Sequence, residues 1–232
     1  MQREKHPFIK PLTKARNTAY ICPPMPCDHK FKSQLDLSAI DYEPTTLIVG
    51  TFNPQWPTNN TAEWFYGRTV TNCFWDVLPR LYGEQSLIEA GPAEWQQFCR
   101  DKQISLTDLI RSVEDAEAGN TNHVKMLGGF SDEAIEYNFE DFDFVNIVSI
   151  LKLHPSIKNV YTTRGVTDAF WRHVWNPVAH YCSVNHLHER KLLNPSKEAA
   201  YQHEVYNRDH PDHTIERLED FILMRWQQEW HF

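Results

Sequence analysis

The apolar run Thr45-Thr46-Leu47-Ile48-Val49-Gly50 is short, β-branched and stopped by a glycine. That pattern predicts a buried strand, and its place ahead of several helical stretches makes it the expected centre of a sheet. From Asn72 to Gly83 the apolar positions change period: Phe74, Trp75, Leu78 and Leu81 fall at helical spacing, with Gly83 as a stop. Similar spacing predicts helices over 92–101, 141–153, 166–175 and 214–230; in the last, Ile215, Leu218, Ile222 and Trp226 form one stripe. Between them, Ile104-Ser105-Leu106-Thr107, Asn159-Val160-Tyr161-Thr162 and Tyr181-Cys182-Ser183-Val184 read as further strands. Strands alternating with helices predict an α/β fold, a three-layer α/β/α sandwich around a mostly parallel four-stranded sheet. Residues 1–40, with the Pro-rich stretch Cys22-Pro23-Pro24-Met25-Pro26-Cys27, read as an extended arm packed on its own domain, and 41–232 as that single domain.

Composition narrows the class. The chain has 232 residues, 41% of them hydrophobic, and 8 glycines, a globular make-up that excludes bulk disorder and fibres. No apolar run reaches the roughly 18 to 20 residues that span a bilayer, and Met1-Gln2-Arg3-Glu4-Lys5 opens no apolar signal core. The expectation is a soluble, cytoplasmic monomer with no membrane partner. The formal charge of -8 disfavours indiscriminate adhesion to nucleic acid and leaves room for a local basic face. Five scattered cysteines, Cys22, Cys27, Cys73, Cys99 and Cys182, fit reduced thiols better than a disulfide framework.

In parallel α/β sheets a ligand site lies beyond the carboxyl ends of the strands, so the loop that leaves the central strand is the first candidate. It reads Gly50-Thr51-Phe52-Asn53-Pro54-Gln55. Glycine permits close backbone approach, and Asn53 offers an amide that can orient a water or a carbonyl. Then come Trp64-Phe65-Tyr66-Gly67-Arg68 and Asn72-Cys73-Phe74-Trp75 at the predicted helix start.

With these motifs in place, the sequence resembles the uracil-DNA glycosylase superfamily over about residues 44–83, nearest its mismatch-specific and hypoxanthine branches. Leu47 to Pro54 is similar to the family's first motif, and Phe65 to Trp75 to its aromatic, Gly, Asn-x-Phe-Trp continuation. Fainter likeness covers Ile104 to Ile110, with Asp108, and Val160 to Gly165. Leu193-Asn194-Pro195-Ser196-Lys197 is similar to the family's DNA-inserting loop. The resemblance implies a DNA base glycosylase that needs no cofactor and no metal. Asn53 would position water and Asn72 would read the base or help catalysis. Gly50, Thr51, Phe52 and Tyr66 would hold the flipped base, and Arg68, Asn194, Pro195, Ser196 and Lys197 would meet DNA. Two departures leave the base and the role of Asn53 open: the spacing to Asn53 is one residue longer than in the mismatch-specific branch, and Gln55 replaces a glycine.

The residue types suit that chemistry. Base excision needs the base out of the stack, at a cost of a few kcal/mol, and donors aimed at the charge that develops on the leaving base. Other readings stand beside it. Asn72 is a good helix N-cap and Asn194-Pro195-Ser196 a good turn. A catalytically silent nucleic-acid-binding relative would keep the same motifs. His180, His186, His188, His203, His210 and His213 crowd the last third and could serve a metal-dependent hydrolase; Cys22, Cys27 and His29 make a second, irregular metal candidate. Arg68, Arg190, Lys191 and Lys197 are expected on one face. Two Pro-Ser turns compete for the DNA-inserting loop, and the order of elements puts His154-Pro155-Ser156 at the sheet edge away from Asn53.

Overall fold

The computed structural model describes residues 25–232 apart from 167. Its first strand, β1 (Cys27–Asp28), is followed by β2 (Thr46–Gly50), α1 (Phe74–Leu81), α2 (Pro92–Asp101), β3 (Ile104–Asp108) and β4 (Ile110–Val113). Next come α3 (Thr121–Leu127), α4 (Asp132–Asn138), β5 (Phe142–Phe144), α5 (Ile147–Leu153), β6 (Asn159–Thr162) and α6 (Ala169–Val184). The chain ends with β7 (His188–Lys191), α7 (Ala200–Asp209) and α8 (Leu218–Glu229).

The central sheet has four parallel strands in the order β3-β2-β6-β7. β2, buried along its whole length, lies in the middle as its apolar run requires. From β2 the chain steps outward to β3, then crosses back over β2 to β6 and on to β7. Right-handed crossovers therefore set α1 and α2 on one face and α5 and α6 on the other. α8 packs on α1, and α5 on α6. The reversal of direction makes the gap between β2 and β6 the topological switch point, where the loops after these two strands diverge and leave a crevice. A small antiparallel sheet, β1-β4-β5, continues from the end of β3.

Three elements differ from the sequence expectation, each for a physical reason. Tyr181 to Val184 is not a strand: Trp171, Trp175, Val178 and Cys182 form one buried helical stripe that carries α6 through it. The fourth strand is instead His188-Glu189-Arg190-Lys191, a polar edge strand whose charges guard an open flank and erase the apolar signal. The predicted helix over 141–153 is two elements. Phe142-Asp143-Phe144 pairs with β4, and the helix begins only at Ile147, capped by Asn146 Oδ1 accepting from the Ser149 N–H at 2.9 Å.

Residues 25–40, the described part of the stretch read as an arm, contribute to the core. Phe31, Leu35 and Leu37 are buried there, and β1 pairs with β4. Cys22 and the rest of 1–24 lie outside the described residues. No described helix is long and apolar enough to cross a membrane.

Candidate active site

Beyond the carboxyl ends of β2, β3 and β6 lies a cavity of about 300 Å³. Its lining draws on six stretches of chain: the loop after β2 (Gly50, Thr51, Phe52, Asn53), the turn before α1 (Tyr66, Gly67, Arg68, Thr71, Asn72), the end of β3 (Asp108), the entry to α4 (Gly129, Phe130, Asp132), Thr163 after β6, and the loop after β7 (Asn194, Ser196, Lys197). Among the residues singled out in the sequence, Gly50, Thr51, Phe52, Asn53, Tyr66, Arg68, Asn72, Asn194, Ser196 and Lys197 all reach it. Pro195 does not line it, but its carbonyl accepts from the Cys73 N–H at 2.7 Å and from Cys73 Sγ at 3.1 Å. Together with the bridge between Asn72 and Ser196, these bonds bind the 194–197 loop to the start of α1. Burial pushes the Cys73 thiol up to about 12, so it stays protonated and is a donor, not a nucleophile.

The two candidate asparagines are held differently. Asn53 is buried, and its Oδ1 accepts from Nδ2 of Asn60, which also donates to the Pro54 carbonyl at 2.7 Å. This fixes the amide so that the Asn53 nitrogen is left to serve the cavity. Asn72 Oδ1 accepts from the Phe74 N–H at 2.9 Å, so the residue does steady the start of α1; the same bond leaves its amide nitrogen as a donor at the cavity wall. The N-cap itself is Cys73, so Asn72 supports the helix start from one residue before the cap while its side chain lines the cavity.

Tyr66 stands in a left-handed backbone conformation, φ 56°, with its ring stacked on Phe74 at 3.8 Å between centroids and 3° between planes. Its hydroxyl is 2.9 Å from Thr163 Oγ1. Burial, with the nearby Asp108 carboxylate adding to it, pushes this hydroxyl well above the usual tyrosine range, so it remains neutral. At Gly50 a Cβ would strike Oδ1 of Asp108 and come to 2.9 Å from the Tyr66 hydroxyl, which is why only glycine fits there.

Little in the sequence points to the acidic groups. Asp108 appeared only as a faint family likeness, and Asp132 not at all. Asp132 accepts from Thr51 Oγ1 at 3.0 Å and is paired with Arg164, whose guanidinium lies 3.7 Å over the Trp171 ring. Burial raises its carboxyl against the pull of Arg164. Asp108 accepts a 2.7 Å hydrogen bond from His29 Nε2. His29 Nδ1 accepts from the Phe31 N–H at 2.9 Å, so the ring proton belongs on Nε2 and the imidazole is neutral. These partners lie 79 residues apart along the chain, which no local motif reveals.

Positive charge gathers only in part as expected. Arg68 and Lys197 line the cavity, with the Arg68 guanidinium 3.7 Å over the Phe130 ring. Lys191, at the carboxyl end of β7, reaches toward Gly165 in the loop after β6. Arg190 turns instead to Glu229 at the end of α8, 3.8 Å away. His154 caps the end of α5, and Ser156 bonds Glu43, 3.0 Å away, ahead of β2, so this turn lies at the opposite sheet edge. Among the described residues no group of three or more His, Cys, Asp or Glu could hold a metal. The late histidines bond separately to carbonyls: His188 to Glu229, His203 to Ile215 and His210 to Tyr206.

No protein-family model matches the chain, and no curated protein matches it. Among solved structures, it is similar to the solution NMR structure of a protein from Methanosarcina acetivorans described as a "putative Uracil DNA glycosylase". That similarity has a TM-score of 0.47 at 14% identity and covers 83% of this chain and 94% of the other.

Proposed function

We propose that the chain is a monofunctional DNA N-glycosylase that hydrolyses the bond between deoxyribose and a flipped deaminated or otherwise modified base. One observation carries this reading. The residues chosen from three separate motifs, around Asn53, around Tyr66 to Asn72 and around Asn194 to Lys197, meet in one cavity at the switch point of the sheet. The cavity combines aromatic walls, amide donors and a cationic rim, which are the parts that base excision needs.

In this reading Phe52 and Tyr66 enclose the extruded base, with base-aromatic stacking worth ~1–3 kcal/mol per base. Cleavage moves positive charge onto the sugar and negative charge onto the base. The amide of Asn72 and the backbone N–H groups of Thr51 and Phe52 serve the base. Asn53, fixed by Asn60, orients the water that attacks C1′. Arg68 and Lys197 contact phosphates, and Asn194 and Ser196 follow the strand beside the cavity mouth. Burial of Tyr66 and Cys73 keeps both neutral, so neither competes as a nucleophile.

The test is a panel of duplex and single-stranded oligonucleotides, each with one modified base, assayed for abasic-site formation. Excision of at least one base, slowed by ~10²-fold or more in Asn72→Ala, is the expected result. Binding to the panel without excision would make the chain a base-sensing relative, and no binding to any member would remove DNA as its partner.

A further inference from the structure

The floor of the cavity carries an acidic group that the proposed chemistry does not use. Asp108 sits at the carboxyl end of β3, its side chain nine-tenths buried. Oδ2 is taken by the neutral His29, as described, while Oδ1 lies against Gly50 with no hydrogen-bond partner among the described residues. Asp108 lines the cavity, so a carboxylate oxygen with no donor from the described residues is left to accept from whatever enters. His29 sharpens the effect. It orients the carboxylate through Oδ2 and leaves Oδ1 uncovered, yet it brings no positive charge, because its second nitrogen already accepts from Phe31. The other cavity acid, Asp132, differs in being paired with Arg164.

We propose that Asp108 selects the base, and that the site takes damaged bases with a guanine-type edge, a ring N–H beside an exocyclic amine. This rests on the glycosylase reading and narrows its substrate class. The free Oδ1 and the remaining lone pair of Oδ2 offer two adjacent acceptors, which match two adjacent donors. Uracil and hypoxanthine fit poorly: each shows one ring N–H flanked by carbonyl oxygen, and a carbonyl turned toward an anion repels it. The negative charge also opposes the charge that forms on a departing uracil. Gly50 completes the device, since any side chain there would cover Oδ1. The walls Phe52, Tyr66 and Phe130 supply flat apolar surface, and the volume of the cavity admits a purine.

Two measurements on the full chain test this. The first is calorimetric binding of free 7-methylguanine and of uracil to the wild type and to Asp108→Asn. The second is single-turnover excision from duplexes holding 7-methylguanine, 8-oxoguanine, uracil or hypoxanthine. The wild type should bind 7-methylguanine ~10-fold or more tighter than uracil, the scale of one charge-assisted hydrogen bond. Asp108→Asn, which presents an amide N–H₂ and a carbonyl to the base, should reverse that order. His29→Gln should shrink the preference without reversing it, since the carboxylate remains. Uracil bound or excised at least as well as the guanine-type bases by the wild type, or a preference unmoved by Asp108→Asn, would overturn the assignment. A wild type that binds 7-methylguanine selectively but cleaves nothing would remove the glycosylase reading and leave Asp108 as the selector. Absence of both binding and cleavage would remove both.

Discussion

Two turns in this molecule carry almost the same local sequence, His154-Pro155-Ser156 and Asn194-Pro195-Ser196, and they stand at opposite ends of the sheet. The first ends α5 and leads into β6, so it belongs to the edge where strands begin. There His154 closes a helix and Ser156 bonds Glu43. The second follows β7, joins the edge where strands end, and is bonded to the start of α1 through Pro195 and Ser196. A parallel sheet has one edge on which loops from several strands converge, and a tripeptide is as functional as the edge on which it lies. The likeness of the two turns is chemical; their difference is topological.

That comparison can be broken first at the cavity edge. Asn53→Ala and Asn72→Ala should each slow excision by ~10²- to 10³-fold, the loss expected for one preorganised donor, as measured by single-turnover kinetics. Asn72→Ala also removes the acceptor for the Phe74 N–H and should cost ~1 kcal/mol of stability. Asn72→Asp separates these effects. It keeps the oxygen that accepts from Phe74 and loses the amide donor, so thermal unfolding should stay near the wild type while excision falls as in Asn72→Ala. If excision survived in all three variants, the two asparagines would be structural only.

Gly50→Ala comes next. The new methyl group meets Asp108 and the Tyr66 hydroxyl, and the overpacking should cost ~1–3 kcal/mol in a denaturant titration, with reduced base binding. Smaller effects belong to the rim. Arg68→Ala and Lys197→Ala should each weaken DNA binding and lower the slope of log affinity against log salt by about 1, whatever the base. An unchanged slope would take these cations out of phosphate contact. His154→Ala should leave excision within about twofold of the wild type, since surface positions far from a site have little leverage. A large loss there would reverse the comparison between the two turns.

The pattern of the sequence was most informative where burial is complete. β2, β3 and β6 are buried along their whole lengths, and each shows an apolar or β-branched run. β7 escaped because an edge strand with one neighbour needs no such run, and the end of α6, beyond the helix expected over 166–175, because its last turn is rich in residues that favour strands. The site divides in the same way. Asn53, Tyr66, Asn72 and Ser196 stand in short motifs next to elements that periodicity finds. Asp108 and His29 meet through pairing of elements far apart in the chain, and Asp132 through a short helix capped by Ser131 with a weak periodic signal. Asn60 was illegible for another reason. It lies in an irregular loop, and only the bond to Asn53 reveals its task of aiming a neighbour.

The way the N-terminal segment reaches the cavity has a practical consequence for anyone shortening this protein. Residue 41 looks like a natural cut, since regular structure resumes only a few residues later. A chain trimmed there would lose the proton donor beneath Asp108 and three plugs of the interior, Phe31, Leu35 and Leu37. Each plug is worth ~1.5–3 kcal/mol of burial, so the losses together rival the whole stability margin of a typical domain. The trimmed protein would be recovered as aggregate, or as a loosened species whose failure to act on any base would say nothing about the intact protein.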